Sequence, residues 1–201
     1  MPIVYRSTLG RPLTYGEMDG NFADLAARTD QAWVMAATEP SVRTGSGNAA
    51  ELKTFRGGVS EYAYEPTVME ESFTNWDVPF EWVVGTDIYL AFHYAQANTT
   101  STGNVKWGIE YTYAPVGGVF GATTTTYIIG AVDSTAYKHA QVISPPFTGS
   151  LLSTNTRFLM RIFRDGGAVE DTFPDDIFLF GVDFYYQVNK FGLPSYLPPY
   201  P

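Results

Sequence analysis

The chain has 201 residues, 45% of them apolar and 16% aromatic, enough to bury one sizeable core and too few for two generous ones. A formal charge of −9 excludes nucleic acid and anionic membrane surfaces as partners, since both demand a basic footprint. With no cysteine there is neither a disulfide scaffold nor a thiolate zinc site, and the composition is silent on compartment.

In chain order, Met1-Pro2-Ile3-Val4-Tyr5-Arg6 lacks the apolar core of a signal peptide, so the expectation is of a protein that stays where it is made. Residues 1–13 read as an arm: Ile3, Val4, Tyr5 and Leu9 sit among turn formers and become ordered only by lying on something else. Thr14 followed by Glu17 is the sequence form of a capping box, which predicts a helix start, while Gly10 and Pro12 keep the preceding segment extended and leave Arg11 free to reach outward. From there Met18, Phe22, Leu25, Thr29, Ala32 and Ala36 recur at alternating intervals of four and three, a heptad seam. The spacing predicts a coiled-coil helix from Thr14 to about Ala37. Gly16 and Gly20 weaken it by about 1 kcal/mol each, so its stability must come from association.

After Pro40, the run Ser41-Val42-Arg43-Thr44-Gly45-Ser46-Gly47-Asn48 has linker composition, and residues 38–60 are assigned to a linker. Alternating apolar runs follow at Glu61–Val68, Phe73–Val83, Asp87–Ala95, Val105–Tyr113, Phe120–Ile129, Tyr137–Ile143, Thr156–Phe163 and Ile177–Val188. The third and fourth flank the turn-rich Asn98–Gly103 and read as a hairpin. About eight such strands predict a mainly β body over residues 61–192, an antiparallel, jelly-roll-like sandwich of two sheets. The uncharged stretch Tyr111–Val132 is too interrupted by proline, glycine and threonine to be a membrane span. Residues 193–201, rich in proline, predict an extended strap.

Gly10-Arg11-Pro12-Leu13-Thr14, then Glu17-Met18-Asp19, Asn21-Phe22 and Leu25, resembles the N-terminal segment of many tailed-bacteriophage tail-fibre and other virion appendage proteins. Gly103-Asn104-Val105-Lys106-Trp107-Gly108-Ile109-Glu110-Tyr111-Thr112-Tyr113-Ala114 looks like part of a β-rich domain of phage structural proteins. What the resemblance implies is a homotrimeric virion protein. It docks through residues 1–37 on other proteins of the head, collar or tail and holds its sandwich outward. The docking residues expected are Arg6, Leu9, Arg11, Pro12 and Leu13, whose basic and apolar side chains suit a seat on an acidic virion partner.

The chemistry-bearing residues point away from an enzyme. Neither a Gly-x-Ser-x-Gly elbow nor a phosphate loop is present. Adjacent carboxylates such as Glu70-Glu71 and Asp175-Asp176 point to opposite faces of a strand and cannot flank one glycosidic bond. Asp183, inside the apolar run Phe178–Tyr186, is expected to be paired or at an interface. Of the two histidines, His93 has the parity to face away from the core, as has Glu110, which predicts a structural His93–Glu110 cross-strand pair. A cupin-type metal pattern would need a second histidine two residues on, and His93-Tyr94-Ala95 lacks it, so neither metal nor cofactor is expected. Fourteen tyrosines and four tryptophans exceed the needs of one sandwich core, and a lectin-like jelly roll recognising host surface glycan is the alternative function.

Overall fold

The computed structural model describes residues 11–21, 32–43, 47–98 and 100–188. Residues 15–21 are helical. The body consists of ten strands: β1 (Ala32–Thr38), β2 (Glu51–Arg56), β3 (Val59–Tyr64), β4 (Met69–Asp77), β5 (Tyr89–Ala95), β6 (Gly103–Ala114), β7 (Thr124–Val132), β8 (Ala140–Ile143), β9 (Arg157–Asp165) and β10 (Ile177–Val188). They form two antiparallel sheets. The six-stranded sheet runs β2-β3-β10-β5-β8 with β1 also paired to β10, and the four-stranded sheet runs β4-β9-β6-β7. The expected two-sheet sandwich is therefore present, and each of the eight predicted runs has its counterpart among β3 to β10.

Alternation explains why the sheets face each other. On β5, Leu90, Phe92 and Tyr94 are buried inward, and on β6 Val105, Trp107 and Ile109 meet them from the other sheet. Trp107 lies edge-on to Tyr64 at 5.3 Å and stacks on Phe92 at 5.5 Å. Trp76 of β4 stacks on Phe184 of β10 at 4.1 Å with the planes 6° apart. Trp76, Trp82 and Trp107 are all buried, as ordinary core residues. Each fully buried aliphatic or phenylalanine side chain among them contributes about 1.5–3 kcal/mol.

Three expectations are corrected. Ala32 and Ala36, assigned to the helical seam, lie in β1, which pairs with β10 from Ala32↔Val188 to Thr38↔Val182. Val34 and Ala36 pack on the core while Trp33 and Met35 are half exposed, a period of two rather than of 3.5. The ladder with β10 decides between the two periods, which small Ala and Thr residues satisfy equally. Met18 is in the short helix, whereas Phe22, Leu25 and Thr29 lie outside the described residues. Secondly, residues 38–60 are not a linker: β2 pairs with β3, and Ser41 and Ala49 bridge to Phe73 and Glu71 along β4. Thirdly, β5 and β6 are not a hairpin. They belong to different sheets, and the chain between them is tied by Gln96 Nε2 to the Ser101 carbonyl at 3.1 Å and by Asn98 Nδ2 to Asp175 at 2.9 Å.

One buried ion pair joins these parts. Arg164 of β9 and Asp171 of the following loop are both wholly enclosed, with Nη2 at 2.7 Å from Oδ1 and Nε at 2.9 Å from Oδ2. The remaining guanidinium protons go to the backbone carbonyls of Tyr64 at 2.9 Å, Asp175 at 2.8 Å and Phe173 at 2.5 Å. All five donors of the guanidinium are thus used. Asp171 Oδ2 also accepts the Lys106 backbone N–H at 3.0 Å. The loop then lies so close to β6 that a Cβ on Gly103 would stand 2.8 Å from the backbone of Phe173, which leaves room only for glycine.

Among the described residues no helix is long and apolar enough to cross a membrane.

Asp171→Asn leaves a buried guanidinium without its counter-charge and is expected to cost about 3–5 kcal/mol, read as a lowered urea midpoint. Arg164→Met with Asp171→Leu should remain destabilised, because three backbone carbonyls and the Lys106 N–H lose their partners. Recovery to wild-type stability in that double variant would contradict this account.

Candidate functional site

The outer face of the six-stranded sheet carries the chemistry. On β5 the inward positions Leu90, Phe92 and Tyr94 leave His93 pointing out, and on β10 the inward Val182, Phe184 and Tyr186 leave Asp183 and Tyr185 pointing out. Gln141 of β8 stands opposite His93 in the ladder. His93 Nε2 is 2.9 Å from Asp183 Oδ2, and its Nδ1 is 2.8 Å from His139 Nε2. The Gln141 carboxamide nitrogen lies 3.2 Å from His93 Nε2 and donates to the Tyr185 hydroxyl at 3.1 Å. His139, His93 and Asp183 thus form one chain of contacts through the two nitrogens of the His93 ring, with the proton positions set by the tautomer.

Asp183 is only 8% exposed although it faces away from the core. A carboxylate so enclosed needs a compensating partner, and the His93 ring at 2.9 Å is the one beside it. The wall is completed by a β-bulge: the register of β10 against β5 shifts between Leu179 and Gly181. Such bulges re-aim a side chain, here Phe180, whose ring stands edge-on to His139 at 6.2 Å. The result is a depression of about 310 Å³ lined by Thr38, Glu39, His93, His139, Phe180 and Asp183 among others. Thr38 is the only hydroxyl in that lining, and it donates to the Val182 carbonyl at 3.0 Å. No side chain there is set up as a nucleophile for the His–His–Asp chain. Nor do the three groups converge on one point, since each ring nitrogen of His93 faces a different neighbour. No group of three or more His, Asp or Glu among the described residues is placed to hold a metal ion.

Aromatic rings flank the cluster on both sides. Trp33 lies edge-on to Tyr89 at 5.7 Å. Across the sheet Phe55 contacts Phe180 at 5.0 Å, Phe178 at 5.1 Å and Tyr137 at 5.3 Å, with Arg56 over the Tyr137 ring at 4.6 Å.

The expected His93–Glu110 pair does not form. Both side chains face away from the core, as parity requires, but from opposite faces of the sandwich. Glu110 belongs to β6 of the four-stranded sheet, where it accepts from Arg161 Nη1 at 3.1 Å and from the Thr123 hydroxyl at 2.9 Å. Arg161 also reaches Glu71. Asp183, expected to be paired, takes His93. His139, 46 residues from His93 in the chain, carried no signal that would have linked the two.

At the N-terminal end, the capping box is complete: the Thr14 backbone N–H donates to Glu17 Oε2 at 2.8 Å, and the Glu17 N–H to Thr14 Oγ1 at 3.2 Å. Arg11 does not reach outward. Its guanidinium forks onto Glu17, Nη1 to Oε2 at 2.9 Å and Nη2 to Oε1 at 2.6 Å, and Nη1 also donates to the Pro12 carbonyl at 2.9 Å. Leu13 is half-buried, Pro12 is exposed, and Arg6 and Leu9 lie outside the described residues. The Arg11 fork, and then the Thr14 N–H, hold the Glu17 carboxyl down at about 2.

No family model matches this sequence, and no curated protein matches it. Among solved structures, the chain is similar to the CBM36-1 domain of a multidomain xylanase from the hindgut metagenome of Trinervitermes trinervoides, at 8% identity and a TM-score of 0.39 over 76% of this chain and 96% of that one. It is also similar to a protein of infectious bursal disease virus, Gx strain, at 10% identity and a TM-score of 0.38 over 84% of this chain and 33% of that one. A third likeness is to a CBM35 from Cellvibrio japonicus, at 10% identity and a TM-score of 0.36 over 77% of this chain and 91% of that one.

The clasp predicts a titration. A carboxyl lowered on folding contributes above its ordinary value of 4.5 and loses that contribution as pH falls through about 2. The Glu17 side-chain carboxyl resonance should therefore titrate near 2, with the Thr14 amide shift following it, and Arg11→Ala should move the midpoint toward the ordinary value. A midpoint near 4.5 in the intact protein would show that the fork does not persist in solution.

Proposed function

We propose that this chain is a non-enzymatic structural protein of a tailed-phage virion, a homotrimeric appendage attached by its N-terminal segment and presenting the sandwich to the surroundings. The observation that carries this reading is the Arg11–Thr14–Glu17 clasp: three residues of the phage-like motif close on one another at the start of the short helix. Because Arg11 is committed to Glu17, the cationic contribution to docking falls on Arg6, with Pro12 and Leu13 as the described apolar contacts. Contact between copies is assigned to surfaces other than a helical seam through Ala32 and Ala36, which β1 has taken into the sheet.

A second reading is supported by the outer-face depression. A recessed carboxylate, two linked imidazoles and an aromatic ring on a sheet face suit recognition of a small polar ligand, and in an appendage that ligand is host surface glycan.

Deletion of residues 1–13 tests the first reading. The truncated protein should keep the urea midpoint and the trimeric mass of the full chain, measured by light scattering, yet fail to appear in purified particles when it complements a phage lacking the gene. Incorporation at the normal level would place attachment elsewhere, and a monomeric mass for the full chain at micromolar concentration would remove the trimer.

A further inference from the structure

The depression beside β10 has an uneven supply of hydrogen-bonding groups. Asp183 Oδ2 is taken by His93, and Oδ1 has no donor among the described residues. His139 is exposed, with its Nε2 engaged on His93 Nδ1. Glu39 is exposed at the rim, and Thr38 has committed its hydroxyl proton to Val182. The two carboxylates of the lining, Asp183 and Glu39, accept and do not donate. Phe180 adds an apolar ring beside them.

A ligand that fits must bring several closely spaced donors and one apolar face, and must not bring negative charge. A carboxylate or phosphate would meet Glu39 and Asp183 on a chain whose net charge is already −9. Two or three neighbouring hydroxyls on a six-membered ring satisfy the first condition, and the C–H face of the same ring satisfies the second against Phe180. The volume, about 310 Å³, is at the lower end for small-molecule sites and admits one sugar ring. We infer that this depression is a subsite for a single hexopyranose that is uncharged or carries a free amine, held by hydroxyl donation to Asp183 and Glu39 and by stacking on Phe180. The inference rests on the glycan reading above and narrows it to one site and one charge class.

The test uses the purified full chain with methyl hexosides, glucosamine and glucuronic acid, read by saturation-transfer difference NMR and by the His139 ring shifts. Methyl hexosides of at least one configuration, or glucosamine, should bind with Kd on the order of 1 mM, about −4 kcal/mol, and glucuronic acid at least tenfold more weakly. Asp183→Asn and Phe180→Ala should each weaken binding tenfold or more. Glu39→Gln, at an exposed position that cannot unfold the protein, should weaken glucosamine several-fold. Trp33→Ala, outside the depression, should leave binding unchanged. Absence of binding by every neutral and amino sugar overturns this inference together with the glycan reading, leaving virion attachment untouched. Binding lost in Trp33→Ala but kept in Phe180→Ala and Glu39→Gln overturns the site while the glycan reading stands. Equal binding of glucuronic acid overturns the charge class.

Discussion

The guanidinium of Arg164 is the fastening on which the sandwich depends. It sits on β9 of the four-stranded sheet, yet it bonds the last residue of β3 in the other sheet and the loop that delivers the chain into β10. Aromatic packing between the sheets is strong but adaptable, since rings slide over one another at little cost. A fully satisfied, enclosed ion pair is not adaptable: its geometry is either met or several kcal/mol are lost. It therefore fixes where β10 enters the sheet, and with that the register that places Asp183 beside His93.

The two outer faces use charge differently. On the four-stranded sheet Arg161 is shared between Glu71 and Glu110 and lies over the Phe163 ring at 4.6 Å, while Lys106 lies over Tyr127, also at 4.6 Å. Cations there are neutralised by carboxylates and rings close by. The six-stranded face instead holds the recessed Asp183 and the exposed Glu39 beside the Phe180 ring. That asymmetry makes the six-stranded face the candidate for recognition.

Strand alternation was readable along the whole body because each of β3 to β10 buries one face, and burial imposes a period of two on the sequence. What alternation does not carry is the identity of the neighbour. Asp87–Ala95 and Val105–Tyr113 alternate as a hairpin would, and only the corner at Gln96 and Asn98 sends them into separate sheets. The same ambiguity defeated the His93–Glu110 pair: their outward parity was legible, their sheet was not. For β1 the difficulty was chemical, since Ala36 and Thr38 bury so little that a helical and an extended period fit alike until Val34 finds the core. Asp183 was legible as a paired charge because a lone carboxylate in Phe178–Tyr186 must be compensated. His139 fell within the predicted run Tyr137–Ile143 but stands in the loop just before β8, and nothing in the sequence linked it to His93.

The far edge of β10 is shared by two strands in succession. β3 covers Ile177–Leu179 and β1 covers Val182–Val188, so that Phe180 and Gly181 have no ladder partner on that edge. The bulge and the depression both fall in this interval, with Thr38 and Glu39 arriving at its border as β1 ends. Thr38 is still held, by its pairing with Val182 and by its hydroxyl on that carbonyl, whereas Phe180 and Glu39 have no partner in the β1 or β3 ladder. Exchange of those two side chains therefore leaves the ladders of the sheet untouched, which separates what the face can recognise from what holds the sandwich together.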